Sequence, residues 1–348
     1  MPQKRARDFG IRVGSLPCGP LNRITDVPGV TVGHHTIDTD RCKTGVTVVI
    51  PCEENPFFHK LPAASFVLNG YGKTQGLVQV NELGTIETPI ALTNTLNVGL
   101  VHNAMVGYMI NRCAEDGKPD LRSVNPIVCE CCDASLSDIQ TRPVLTEHVR
   151  TAILRAGKEF EEGDVGAGKG MICHGLKGGI GSASRVVEFD GKSYTVGVLV
   201  QTNHGLMRDL AIGGRLVGPA LAEAVEAAKG GEGSCIAILA TDLPLSSRQL
   251  RRVARRMSVG LMRLGSYIDH GSGEVFLAFS TANAVGAATP AVHSAAAFND
   301  EFIDPVFRAA AECAEEAVLD SMLCAGTVTG PTGKTAYSLA ELWDKTGL

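Results

Sequence analysis

The sequence predicts an α/β protein built as one compact unit. Three observations point there: short apolar runs of strand length recur along the chain, stretches of helical periodicity accompany them, and no proline- or serine-rich linker divides it. A chain of 348 residues is long enough for one large α/β domain or two ordinary ones. The missing linker favours a single domain over 1–348.

The strand-like runs are "GVTVVI" (45–50), "ASFVLNG" (64–70), "NPIVCEC" (125–131), "SYTVGVLVQ" (193–201), "SCIAILATD" (234–242) and "GEVFLAFST" (273–281). Several are apolar on both faces, as expected of strands covered on two sides. Helical spacing predicts a helix over 143–156 with Pro143 in its first turn, and others over 210–228 and 305–323. A further helix follows 246, where Leu250, Val253, Ala254, Met257, Leu261 and Leu264 share one face. Ser246 and Gln249 have the spacing of a capping box at its start. Its other face carries Arg248, Arg251, Arg252, Arg255, Arg256 and Arg263. In a chain of net charge −5 this reads as a solvated or ion-paired face rather than a nucleic-acid surface.

That charge also argues against anionic membrane as a partner, and no run approaches the ~18–20 apolar residues of a membrane span. The opening "MPQKRARDFGIRVG" has basic residues with no apolar core behind them, so a secretory leader is not expected. Eleven cysteines without regular spacing fit free thiols in a reducing compartment, and a cytoplasmic location is the expectation. Forty glycines exceed the usual ~7% and predict tight turns and close approaches of backbone to backbone.

Two motifs suggest chemistry that their surroundings do not support. "GAGKGMICHGLKGGIGSASR" (166–185) contains dinucleotide-loop spacings, but "SRVVEFDGKSYTVGVLV" then reads as a hairpin rather than the required helix. A glycine-lined wall approached by another segment fits better. "CECC" (129–132), with Cys173 and His174 elsewhere, suggests zinc. Cys129 and Cys132 supply only one of the two pairs a structural site favours. Behind the apolar "PIV" they read as buried thiols, so no metal site is expected.

The stretch "GGEGSCIAILATDLPL" (230–245) is different. A flexible glycine run, "AAKGGEGS" over 227–234, abuts a serine that opens a wholly apolar strand. A serine hydroxyl needs a base beside it to act as a nucleophile. The G-x-S-x-G elbow is matched only loosely, since Cys235 and Ile236 follow Ser234. Were the bond before Ser234 cut, its own α-amine, with an ordinary pKa of about 7.7–8.0, would supply that base. The hydroxyl could make the cut itself by attacking the Gly233 carbonyl, which no side chain obstructs. An ordinary loop-to-strand boundary is the competing reading of these residues.

Eight stretches bear on that choice: "ITDVPGVTVGHHT" (24–36), "FVLNGYG" (66–72), "PIALTNTLNVG" (89–99), "KGGIGSASR" (177–185), "VGVLVQTNHG" (196–205), "GSCIAILATDLPL" (233–245), "GSGEVFLAFSTAN" (271–283) and "SMLCAGTVTG" (321–330). In these, and in their order, the chain resembles the DmpA/BapA-type peptidases, which are L-aminopeptidase/D-esterases and β-peptidyl aminopeptidases with a self-generated N-terminal nucleophile. The resemblance implies a four-layer α/β/β/α sandwich of the N-terminal-nucleophile-like kind, assembled as a homotetramer. It implies a cut between Gly233 and Ser234 into an α chain (1–233) and a β chain (234–348).

By the same resemblance Ser234 is the nucleophile and Asn203 the oxyanion donor. Ser272 and Glu274 hydrogen-bond around the nucleophile and its amine. Glu130 receives the free ammonium of a small peptide, amide or ester substrate, and no metal or organic cofactor is required. The chain departs from the family pattern after Glu130, where Cys131, Cys132, Ala134 and Ser135 replace the usual aromatic residues. It departs again at Lys73, where an acidic residue is usual. Lys73 is expected to pair with Glu130 or to favour a carboxylate-bearing substrate. Three alternatives accompany this reading: an amine acyltransferase like the ornithine acetyltransferases, an endo-acting amide hydrolase of nylon-oligomer type, and an unprocessed binding protein.

Overall fold

The computed structural model describes residues 3–226, 233–286 and 288–348; most of the glycine run before Ser234 lies outside them. Ten strands among the described residues make two large sheets. In chain order they are β1 (Thr31–Asp38), β2 (Lys43–Ile50), β3 (Leu61–Gly70), β4 (Thr85–Ile86), β5 (Ile90–Asn94), β6 (Ile127–Cys131), β7 (Ile180–Phe189), β8 (Lys192–Asn203), β9 (Ser234–Thr241) and β10 (Gly273–Ser280). One sheet has the order β1-β2-β5-β6 and the other β4-β3-β10-β9-β8-β7. The helices are α1 (Leu77–Leu83), α2 (Val98–Glu115), α3 (Thr146–Leu154), α4 (Gly218–Ala224), α5 (Ser247–Ala254), α6 (Met257–Arg263) and α7 (Asp304–Leu323).

Three apolar layers separate these elements, and they define an α/β/β/α sandwich. Val46, Val48, Ala91 and Val128 of the smaller sheet pack on Val101, Met105 and Val149 of α2 and α3. The other face of that sheet, through Val49, Leu92 and Cys129, meets Leu199, Ile236, Ile238 and Leu277 of the larger sheet. The far face of the larger sheet, through Val198, Ala237, Leu239 and Phe276, is covered by Leu250, Leu261, Ala310 and Ala314 of α5, α6 and α7. This alternation explains the doubly apolar runs. Every residue of β9 and β10 is buried because both of their faces lie inside the sandwich.

Several expectations shift on inspection. The helix over 143–156 is shorter, Thr146–Leu154, and Pro143 precedes it instead of standing in its first turn. Of 210–228 only Gly218–Ala224 is helical. Gly213 and Gly214, both at positive φ, turn a small hairpin before it, and 227–228 lie outside the described residues. The helix after Ser246 is two helices, α5 and α6, broken after Ala254. Its capping box is present, with Ser246 and Gln249 bonding to each other's backbone N–H.

The arginine face is indeed ion-paired. Arg248 and Arg252 reach Asp300, Arg263 reaches Glu315, and Arg255 and Arg256 lie over Phe66 and Phe307. The run 180–203 is the expected hairpin, turned at Asp190-Gly191, both at positive φ. Before it, the glycines meet backbone. A Cβ on Gly179 would stand 2.0 Å from the Gly163 carbonyl oxygen, and one on Gly181 1.9 Å from that of Ala317. Close chain approach, not a nucleotide loop, is what these glycines permit.

Candidate active site

Ser234 is the first residue of β9, and its side chain shares the face of Ile236 and Ile238, toward the space between the sheets. Two strands flank it. Antiparallel β8 places Asn203 directly opposite Ser234, and parallel β10 places Gly273 opposite it on the other side. Three sequence-predicted residues, Ser234, Asn203 and Glu274, therefore converge at one end of three adjacent strands. Ser272 sits at the same end, one residue before β10. All four are nearly inaccessible.

The Gly233–Ser234 junction is held from both sides. The Gly233 carbonyl accepts a hydrogen bond from the Gly273 N–H at 3.0 Å. A Cβ on Gly233 would meet the Asn203 carbonyl oxygen and the His204 Cα, each at 2.9 Å. A Cβ on Gly273 would lie 2.5 Å from the Tyr71 carbonyl oxygen and 3.3 Å from Ser234 Oγ. Absence of side chains at both glycines is thus a packing requirement of the junction. Beside it lies a small cavity of about 20 Å³, lined in part by Gly205, Leu206, Gly233, Tyr267, Asp269 and Ser272. Such a volume accommodates roughly one water.

The Asn203 carboxamide is oriented by two backbone groups. Its Oδ1 accepts from the Ile172 N–H at 2.9 Å, and its Nδ2 donates to the Cys132 carbonyl at 3.0 Å. A carboxamide nitrogen carries two hydrogens, so one N–H remains after the Cys132 bond. Ser272 donates a short hydrogen bond to Glu274 Oε1, while Glu274 Oε2 is buried with no protein partner. Burial pushes the Glu274 carboxyl up to about 7, and the Ser272 bond opposes that rise. Asn69 organises the turn that delivers Ser272 by donating to the carbonyls of Asp269, His270 and Ser272 at 3.0, 3.2 and 2.5 Å. It was not singled out from sequence, although it lies in the "FVLNGYG" stretch.

Glu130 lies on β6, in the other sheet. Its Oε1 accepts from the Lys73 backbone N–H at 2.9 Å and its Oε2 from Thr95 Oγ1. The loop after β3 connects the two halves of the site, since Tyr71 touches Gly273 while Lys73 binds Glu130. The expected ion pair between Lys73 and Glu130 is not formed. The Lys73 ammonium instead lies over the Tyr71 ring, 5.0 Å from its centroid, and only its main chain meets the carboxylate. Cys129 and Cys131 are buried between the sheets, in agreement with the reading of the 129–132 cysteines as apolar thiols, whereas Cys132 is only partly buried. Asp133, missed from sequence, is fully buried, accepts two bonds from Asn94 Nδ2 and is raised to about 7 by desolvation. Cys173 and His174 are brought together with His204, not with the 129–132 run.

With this geometry in place, comparison with known proteins settles the lineage. Residues 22–336 match the family described as peptidase family S58. The chain belongs to that family. It is 39% identical over 368 residues to the β-peptidyl aminopeptidase BapA of Sphingosinicella microcystinivorans, covering 97% of this chain and 90% of that protein. Among solved structures, the PH0078 protein of Pyrococcus horikoshii OT3 superposes with a TM-score of 0.93 at 45% identity, covering 98% of both chains. The L-aminopeptidase D-Ala-esterase/amidase of Ochrobactrum anthropi, described as a prototype serine aminopeptidase and a variant N-terminal-nucleophile hydrolase fold, gives 0.90 at 37% identity, covering 96% of this chain and 94% of that one. The S58 chain described here is accordingly a hydrolase with the N-terminal-nucleophile α/β/β/α fold, of the serine aminopeptidase type.

Proposed function

We propose that this S58 member cuts itself between Gly233 and Ser234 and then removes N-terminal residues from short peptides, amides or esters through an acyl-enzyme on Ser234. The reading is carried by one observation: the scissile junction lies between Asn203 and Gly273, with the Gly233 carbonyl already on the Gly273 N–H. In self-cleavage, Ser234 Oγ attacks the Gly233 carbonyl carbon as the C–N bond breaks. The resulting ester is hydrolysed, leaving a Gly233 carboxylate and a free Ser234 amine. The Gly273 N–H stabilises the charge that develops on the Gly233 oxygen.

In turnover the amine accepts the Oγ proton as the hydroxyl attacks the substrate carbonyl. The remaining Asn203 N–H bonds the oxyanion. Collapse of the intermediate expels the leaving amine or alcohol, which takes that proton, and water then hydrolyses the acyl ester. Glu274, whose Oε2 has no protein partner in the intact chain, receives the new amine with Ser272. Glu130 binds the ammonium of the substrate's first residue. A fixed anion at that depth favours exopeptidase over endo-acting chemistry.

The eleven free cysteines accord with a cytoplasmic enzyme, and family likeness supports a homotetramer of αβ units. Mass spectrometry of wild type beside Ser234→Ala tests processing. The expected result is a 1–233/234–348 split in the first and an intact chain in the second. Turnover of amino-acid p-nitroanilides, without turnover of N-acylated controls or transfer to an acceptor amine, separates this reading from endo-amidase and acyltransferase. An uncleaved, inactive wild type would overturn it in favour of a binding protein.

A further inference from the structure

On the helix-facing side of the cleavage junction lies a cluster to which the proposed hydrolysis assigns nothing. Cys173, His174 and His204 are all buried, and each presents one possible ligand atom within 4.8 Å of the others. It is the only group of three or more His, Cys, Asp or Glu side chains among the described residues with that proximity.

We propose that Cys173, His174 and His204 form a binding site for a borderline transition-metal ion, zinc above all. A mixed sulfur and imidazole set selects zinc over the hard cations that prefer oxygen. Three features beyond proximity support the assignment. First, His174 Nδ1 meets the Leu206 carbonyl at 3.2 Å. When Nδ1 carries the proton for that bond, the lone pair is left on Nε2, which is buried and without a partner. A backbone carbonyl on the second ring nitrogen is the arrangement that orients metal-binding histidines.

Second, both nitrogens of the His204 ring are buried and bond nothing, a costly condition for a polar side chain that a ligand relieves. Third, the absence of a side chain at Gly205 lets the His174 ring pack against it, since a Cβ there would stand 2.5 Å away, and Gly205 and Leu206 also line the small cavity beside Gly233.

A zinc tetrahedron has ligand–ligand edges of about 3.3–3.7 Å, so the ligand atoms, which lie within 4.8 Å of one another, must close by up to roughly an ångström on binding. Zinc binds cysteine as the thiolate, so coordination at Cys173 forms a Zn–S bond, breaks the S–H bond and releases that proton to solvent. The fourth position is left to water. Because His204 follows Asn203 and packs against Gly233, an ion here tethers the segment that presents the oxyanion donor.

The test titrates chelator-stripped, full-length wild type with Zn²⁺ by calorimetry and with Co²⁺ by absorbance. The expected result is one ion per chain, proton release on binding, and tetrahedral Co²⁺ bands with thiolate-to-metal charge transfer. Cys173→Ser removes the charge-transfer band, and His204→Gln weakens binding by roughly tenfold or more. Absence of stoichiometric uptake by wild type overturns the proposal, as does uptake unchanged in both variants. Should the variants not fold, alkylation mapping of wild type decides: Zn²⁺ must slow labelling of Cys173 relative to the other cysteines, and equal rates overturn the site. None of these readouts depends on peptidase activity, so the site stands or falls separately from the proposed function.

Discussion

Asn203 and Ser234 are cross-strand partners, the last residue of β8 against the first of β9. Their separation is therefore set by a ladder of backbone hydrogen bonds, not by a mobile loop. A donor placed in this way acts without reorganisation at the moment charge develops. Asn203→Ala is expected to reduce kcat by about 10²- to 10³-fold with KM little changed. Asn203→Asp should be equally inactive, because the Ile172 N–H keeps its acceptor while the donor is lost. Steady-state kinetics on the processed variants, or on separately expressed α and β chains, check both.

Gly273 works through what it lacks. A methyl there would collide with the Tyr71 carbonyl and press on Ser234 Oγ. Gly273→Ala should slow appearance of the two chains by at least roughly tenfold, since the same backbone must keep its N–H on the Gly233 carbonyl. Gly107→Ala is the control: on α2, where a Cβ meets nothing within 4 Å, it leaves processing unchanged and stabilises by about 0.4–1 kcal/mol. Electrophoretic time courses after expression report the first effect, and chemical denaturation the second.

Glu274 predicts a pH signature in the intact chain. Its carboxyl is raised from 4.5 to about 7 by burial, so the folded state keeps a proton that the unfolded state gives up. The stabilisation is fully present below the unfolded value and is lost as pH rises toward 7. In the uncleavable Ser234→Ala chain, the unfolding constant should rise by roughly tenfold or more across that window relative to the same chain carrying Glu274→Gln. Urea denaturation at several pH values measures the difference, and parallel profiles would contradict it.

What the sequence revealed follows from how local each cause is. Strands β9 and β10 were legible because burial on both faces forces continuous apolar runs. The β7–β8 hairpin was legible through Asp190-Gly191. Helix α2 was missed although Val98, Val101, Met105, Met109 and Cys113 repeat at helical spacing; Gly99 and Gly107 weaken the pattern, and its start coincides with the capped Asn94 turn. The break between α5 and α6 was invisible, because a continuous apolar stripe does not register a bend at Arg255. At the site, Ser234 was suggested by its junction, whereas Asn203, Ser272, Glu274 and Glu130 came only from family likeness. Their convergence depends on pairing between strands far apart in the chain. Asp133 and His204 escaped for the same reason, and Cys173 and His174 were set beside the 129–132 run rather than beside His204.

Glu130 offers the sharpest separation of binding from chemistry. Its carboxylate is held by the Lys73 N–H and Thr95 Oγ1, contacts a glutamine can reproduce: Gln Oε1 accepts from Lys73 and Gln Nε2 donates to Thr95 Oγ1. Glu130→Gln therefore removes charge while leaving the local geometry supported. Self-cleavage needs no substrate ammonium and should proceed at the wild-type rate. Hydrolysis of amino-acid p-nitroanilides should fall by about 10- to 100-fold in kcat/KM, mostly through KM, the loss expected for one hydrogen bond to a charged group. Equal losses in self-cleavage and in p-nitroanilide hydrolysis would assign Glu130 to the architecture of β6 and leave the ammonium to another anion.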